Sequence, residues 1–128
     1  MRVLKTKNFA RWARKERIDD SLLAAAVAEM RRGLVDANLG GGLLKKRLAR
    51  PGAGKSGGYR TFVASNRSDR WVFLLGFAKK DREDLDDAEL SDFKRIGQGY
   101  VEMSEQAILR LLATGQLQEI DYGESKSS

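Results

Sequence analysis

Lys45, Lys46, Arg47, Arg50, Lys55 and Arg60 fall within one stretch, Lys45–Arg60, that contains no acidic residue. Lys79 and Lys80 close the next apolar run. The chain has no histidine and no cysteine. Whatever chemistry it performs must therefore use guanidinium, ammonium, tyrosine hydroxyl and backbone amide groups. Such a set suits phosphate: arginine presents a fork that meets two oxygens at once, and lysine adds a point charge. A site of this kind could cut RNA without histidine, because the ribose 2′-hydroxyl is the nucleophile. In-line attack then needs alignment, neutralisation of the charge building on the phosphate, and proton transfers. A lysine could carry a proton only if its pKa fell, which a crowd of cations favours. Otherwise most of the acceleration must come from positioning the RNA.

The composition agrees with a polyanionic partner. Net charge is +6 over 128 residues, with a third of them charged. A basic balance of this size favours nucleic acid or an acidic protein, and it equally describes a solvated basic face with no partner. Without cysteine there is no disulfide framework. Without cysteine or histidine a structural zinc site is not expected. The acids Asp81, Glu83, Asp84, Asp86 and Asp87 match no calcium-loop spacing and suit a helix N-terminus instead. No metal and no cofactor is expected. Met1–Ala10 lacks the apolar core of a signal peptide, and no run is long enough to span a membrane, so a cytoplasmic protein is expected.

Gly54-Lys55-Ser56 invites a phosphate-loop reading, but the glycine required five positions before Gly54 is Ala49. The motif also needs a helix immediately after it, and Gly57-Gly58-Tyr59-Arg60 leads into a strand pattern. The glycines would still let backbone amides approach a polyanion. Tyr59 could stack on a base or sit half-buried in a sheet. Trp12 and Trp71 read as core residues.

The elements that must position these groups follow from periodicity. Arg2–Lys5 is a short candidate strand. Phe9, Trp12 and Ala13 mark one helix, and Leu22, Leu23, Ala26, Val27 and Met30 a second, with Asn8 or Asp19 as caps. In the next run Leu44 and Leu48 share one face, while Lys45, Arg47 and Ala49 share the other. Tyr59–Ala64 alternates as a strand, with Tyr59, Thr61 and Val63 opposite Arg60 and Phe62. Trp71–Ala78 is apolar on both faces, as expected of a central strand covered on both sides. Short connections make an antiparallel meander, and this would bring Arg60 and Lys80 to one rim. Asp86 with Glu89 forms a capping box for a helix carrying Leu90, Phe93 and Ile96. Ser104 opens a last helix, closed by Gly115. Leu117–Tyr122 reads as a short extended piece. A single domain over 1–122 with a polar, disordered tail at 123–128 is expected.

Lys46-Arg47, Arg50-Pro51-Gly52-Ala53-Gly54-Lys55-Ser56-Gly57-Gly58-Tyr59-Arg60 and Gly76-Phe77-Ala78-Lys79-Lys80 resemble the bacterial RelE/HigB-type toxins of toxin–antitoxin pairs. The likeness runs from about Arg2 to Ile120. It implies an α+β fold of the RelE kind: an N-terminal helical hairpin packed on a curved antiparallel sheet of three to four strands, with C-terminal helices. It also implies ribosome-dependent cleavage of messenger RNA by 2′-hydroxyl attack, work in the ribosomal A site, and neutralisation by a cognate antitoxin, a small helix-turn-helix protein. Arg60 matches the family arginine at the scissile phosphate, and Lys80 the basic residue after the last strand. Lys46 completes the implied catalytic set. Lys45, Arg47, Arg50, Lys55, Tyr59 and Lys79 are the implied RNA contacts. Pro51–Lys55 reads as an insertion. Where some members carry a catalytic tyrosine or histidine, this chain has Arg82-Glu83-Asp84-Leu85-Asp86-Asp87. A non-catalytic toxin that binds DNA gyrase or another essential protein, and a basic RNA- or ribosome-binding module, are the competing readings.

Overall fold

The computed structural model describes residues 1–50 and 54–121, for 54–57 the backbone only. The elements run β1 (Arg2–Thr6), α1 (Lys7–Lys15), α2 (Asp20–Arg31), β2 (Ala37–Gly40), β3 (Leu43–Arg50), β4 (Gly54–Ser65), β5 (Arg70–Ala78), α3 (Asp87–Glu102), α4 (Glu105–Thr114) and β6 (Leu117–Glu119). The α+β class therefore holds, with a larger sheet than three to four strands. Six strands lie in the order β2-β3-β4-β5-β1-β6. The β3-β4-β5 meander is antiparallel as expected, but β1 joins β5 in parallel. Both surprises come from short strands. β1 has five residues and β6 three, too few to show alternation, yet β1 is held between β5 and β6. β2 is four residues ending in glycine and gave no strand signal.

Helices cover both faces of the sheet. On one face α1 and α2 lay Phe9, Ala13, Leu23, Val27 and Met30 against Leu44, Leu48, Tyr59, Val63 and Phe73. On the other, α3 and α4 contribute Leu90, Phe93, Ile108 and Leu111 over Leu43, Phe62, Val72, Leu74 and Phe77. This two-sided cover is why β5 is apolar at nearly every position. A bulge between the Phe62 and Val63 pairs makes Leu74 the extra residue on β5. Leu74 and Leu75 consequently both belong to the α3–α4 side.

The caps are local and legible. Asp19 accepts the Leu22 amide, and Asp86 with Glu89 completes the capping box. Ser104 accepts the Ala107 amide, and Gly115 ends α4 at φ +81°. Thr6, rather than Asn8, caps α1. Two glycines are fixed by close approach. A Cβ on Gly58 would lie 2.2 Å from the Leu48 carbonyl oxygen, and one on Gly76 would lie 2.2 Å from the Trp12 ring. Among the described residues no helix is long and apolar enough to cross a membrane. The tail at 123–128, Tyr122, and Pro51–Ala53 of the insertion lie outside the described residues.

Candidate nucleic-acid interface

Strand alternation splits the basic cluster between the two faces of the sheet. On β3 and β4 the register pairs Lys45 with Phe62, Lys46 with Thr61, Arg47 with Arg60 and Leu48 with Tyr59. Directly paired residues share a face. Lys45, Arg47, Arg60 and Phe62 therefore belong to the α3 side, joined by Phe77, the β5 partner of Arg60. Lys46 and Tyr59 belong to the α1–α2 side.

Arg60 is the centre of the first group. It is only 7% exposed, and its Nη1 is buried without a hydrogen-bond partner. The neighbouring strand end comes to the same rim, since the Lys79 amide donates to the Gly58 carbonyl at 3.0 Å. Lys79 is half-buried and Lys80 exposed at the turn that follows. The register thus brings Arg60, Lys79 and Lys80 to one end of the sheet, with Lys45 and Arg47 beside them on β3.

Lys46 is not brought to that group. Its ammonium meets the Glu29 carboxylate at 2.7 Å and the Leu34 carbonyl at 2.9 Å, beneath α2. A cation held this way serves the packing of α2 on β3. Tyr59 is 2% exposed and meets the Trp12 ring edge-on at 5.4 Å, so it offers no open face for a base. Burial and the nearby Glu16 carboxylate push its hydroxyl pKa up, against the opposing pull of Arg50. Arg50 lines a cleft of about 710 Å³ with Tyr59, Ile18, Leu22 and Ala25. That cleft belongs to the α1–α2 side, away from Arg60. The Lys55 side chain lies outside the described residues.

Two residues of the segment between β5 and α3 border this face: Asp84, expected at a helix N-terminus, and Arg82, for which the sequence offers no role. The Asp84 carboxylate accepts from Lys45 Nζ at 2.9 Å, outside α3 rather than in its first turn. Burial raises its pKa, but the Lys45 hydrogen bond, the Leu85 amide and the charges of Lys45 and Arg60 outweigh this and hold it below the ordinary value. The Arg82 guanidinium lies 5.1 Å from the centre of the Phe77 ring and is anchored by Glu89. Nothing periodic marks either residue. The available signal was an acid placed soon after a strand whose neighbours are basic.

The arrangement can do limited chemistry. It offers guanidinium and ammonium groups to an anion, and Asp84, ionised at neutral pH, is a weak base. The chain matches no curated protein. The family model described as the RelE toxin of the RelE/RelB toxin–antitoxin system matches residues 1–120, nearly the whole chain. With its α+β architecture and an arginine at the sheet's basic rim, the chain belongs to the RelE toxin family, the toxin half of a pair whose other half is a cognate antitoxin.

Proposed function

We propose that this toxin is a metal-independent endoribonuclease that cuts messenger RNA in the ribosomal A site, by attack of a ribose 2′-hydroxyl on the adjacent phosphate. The observation that carries the reading is Arg60: a buried guanidinium with a spare donor, at a rim that also holds Lys79 and Lys80. An unpartnered buried donor is costly to a fold, and a phosphate oxygen is the partner that would satisfy it. Arg60 neutralises the scissile phosphate in this reading. Lys80 and Lys79 hold the flanking backbone, with Arg47 and Lys45 extending the grip along β3. Lys46, tied to Glu29, has no part in the reaction. The Lys-Ser-Gly-Gly-Tyr-Arg element supports placing the toxin in the HigB-like branch. Proton transfer is the weakest provision of the site, so the ribosome and the RNA's own alignment supply much of the acceleration.

The test is to map RNA 5′ ends after a brief pulse of expression. New ends clustered within translated messages, dependent on translation, are the expected result. Intact messages with altered DNA supercoiling would overturn the nuclease reading in favour of a gyrase-directed toxin. Intact messages with stalled ribosomes would favour a binding module.

A further inference from the structure

The short segment between β5 and α3 crosses the candidate site. Arg82 lies over Phe77, which is on β5. Two residues later Asp84 reaches Lys45, which is on β3. These two contacts, with Leu85 packed on the cluster that holds Phe62 and Phe77, set the segment on this face of β4, the strand between them. The β4 residues on that face are Arg60, opposite Phe77, and Phe62, opposite Lys45. Crossing at that point accounts for Arg60, in the middle of β4 and beside charged neighbours, being as buried as a core side chain. It also leaves Nη1 covered but unpartnered.

We propose that Arg82–Leu85 is a strap that closes Arg60 off in the toxin alone, with the Asp84 carboxylate standing where a phosphate of the substrate would sit. The second half of this statement rests on the reading of Arg60 as a phosphate ligand. The first half rests on the crossing alone. Asp84 is an anion bound to Lys45 and drawn by Arg60. A phosphate entering the site would compete for the same two cations and release the strap. Opening exposes Lys45 and Arg60 together, so substrate binding assembles a two-cation clamp that the closed form hides. The tethers suit a gate: the Lys45–Asp84 pair is exposed on the Asp84 side (56%), and the Arg82–Glu89 pair is exposed at Arg82 and half-buried at Glu89. Ion pairs this exposed hold weakly and yield to a competing anion or to salt.

The absence of cysteine from the chain makes the strap easy to lock. A Lys45→Cys/Asp84→Cys variant can be joined by a thiol-reactive linker that a reductant cleaves. The accessibility of Arg60 is then read from its rate of modification by phenylglyoxal, followed by peptide mass spectrometry, with exposed Arg47 as the internal standard. In Asp84→Asn the Arg60 rate should rise about five-fold, the upper range for an ion pair of this exposure. Glu83→Gln, which removes a charge but no tether, should leave it unchanged. The linked variant should be protected and the reduced one reactive. Equal Arg60 rates in the linked and reduced forms, or an equal rise in Glu83→Gln and Asp84→Asn, overturn the strap. The same linked and reduced forms are tested for binding a 2′-O-methylated RNA oligonucleotide, which cannot be cut. Tighter binding on reduction is expected. Equal RNA binding with gated Arg60 labelling keeps the strap and refutes Arg60 as the phosphate ligand.

Discussion

Replacing Arg60 by Met should abolish RNA cleavage and, at the same time, leave the fold as stable as before or more so. Methionine keeps the unbranched stem that fills the space under the strap and removes only the charged head. Three terms decide the stability change. The buried Nη1 has no partner, and leaving such a donor unsatisfied costs about 1–3 kcal/mol, which the substitution recovers. Arg47 is its register partner on the same face, but the Arg47 guanidinium is exposed and drawn to Asp36 at 3.5 Å, so relief of the like-charge repulsion recovers only about 0.2 kcal/mol. Against these stands the lost attraction to Asp84, whose side chain is 56% exposed, so solvent screening limits it to about 0–1 kcal/mol. The sum is a gain of about 0.2–3 kcal/mol, which raises Tm by up to roughly ten degrees for a chain of this size. The functional loss is opposite in sign: removing one charge-stabilising donor from a reacting centre typically costs about 10²–10³ in rate. Urea unfolding of purified Arg60→Met alongside primer-extension mapping of cleavage in a translating extract would measure both. Destabilisation by more than about 1 kcal/mol would show that the guanidinium has a structural partner, and the reasoning from an unsatisfied donor would fail.

Other substitutions separate packing from chemistry. Lys46→Met should lower stability by about 1.5–3 kcal/mol, since it removes hydrogen bonds from an ammonium to Glu29 and Leu34, while the folded fraction keeps full cleavage; loss of cleavage at unchanged stability would return Lys46 to the reacting centre. Gly76→Ala should cost about 1–3 kcal/mol by forcing a methyl into the Trp12 ring, and a compensating Trp12→Leu should recover part of that in a chemical denaturation series. Acid should loosen the α3 N-terminus. The Arg82 hydrogen bond, with help from the Asp86 amide, lowers the Glu89 carboxyl from 4.5 to about 2. A depressed folded pKa contributes stability that is fully present above the unfolded value and is lost as pH falls from about 4.5 toward about 2. NMR titration of Glu89 should show this midpoint, and Arg82→Gln should return it toward the ordinary glutamate range; an ordinary midpoint in the unsubstituted chain would refute the pair.

Much of the site's logic was legible in the sequence because period-two alternation is a local property. Leu44 and Leu48 face one way and Lys45 and Arg47 the other, and this same rule puts Lys46 with the leucines, away from Arg60. The family likeness groups Lys46 with Arg60 and Lys80, whereas alternation places it on the other face, where it meets Glu29 and Leu34. The capping residues Asp19, Asp86, Glu89, Ser104 and Gly115 were equally readable, because each acts on backbone groups within three or four residues. The glycines are different: Gly58, expected in a loop, lies in β4 and is required by the Leu48 carbonyl, and Gly76 is required by the Trp12 ring, contacts between distant segments that no local rule anticipates.

By itself, the sequence determined the antiparallel meander, and with it the approach of the Lys79-Lys80 turn to the strand that carries Arg60. Strand order, the parallel docking of β1 against β5, and the capture of β2 and β6 were decided by tertiary structure, since strands of three to five residues carry too little pattern to declare a partner. The tertiary structure also decided that Arg60 is buried, and it set the segment between β5 and α3 close by, with the Asp84 charge acting on Arg60. Where such a segment lies depends on Phe77 and Lys45, residues from two other strands that only the folded sheet brings within its reach.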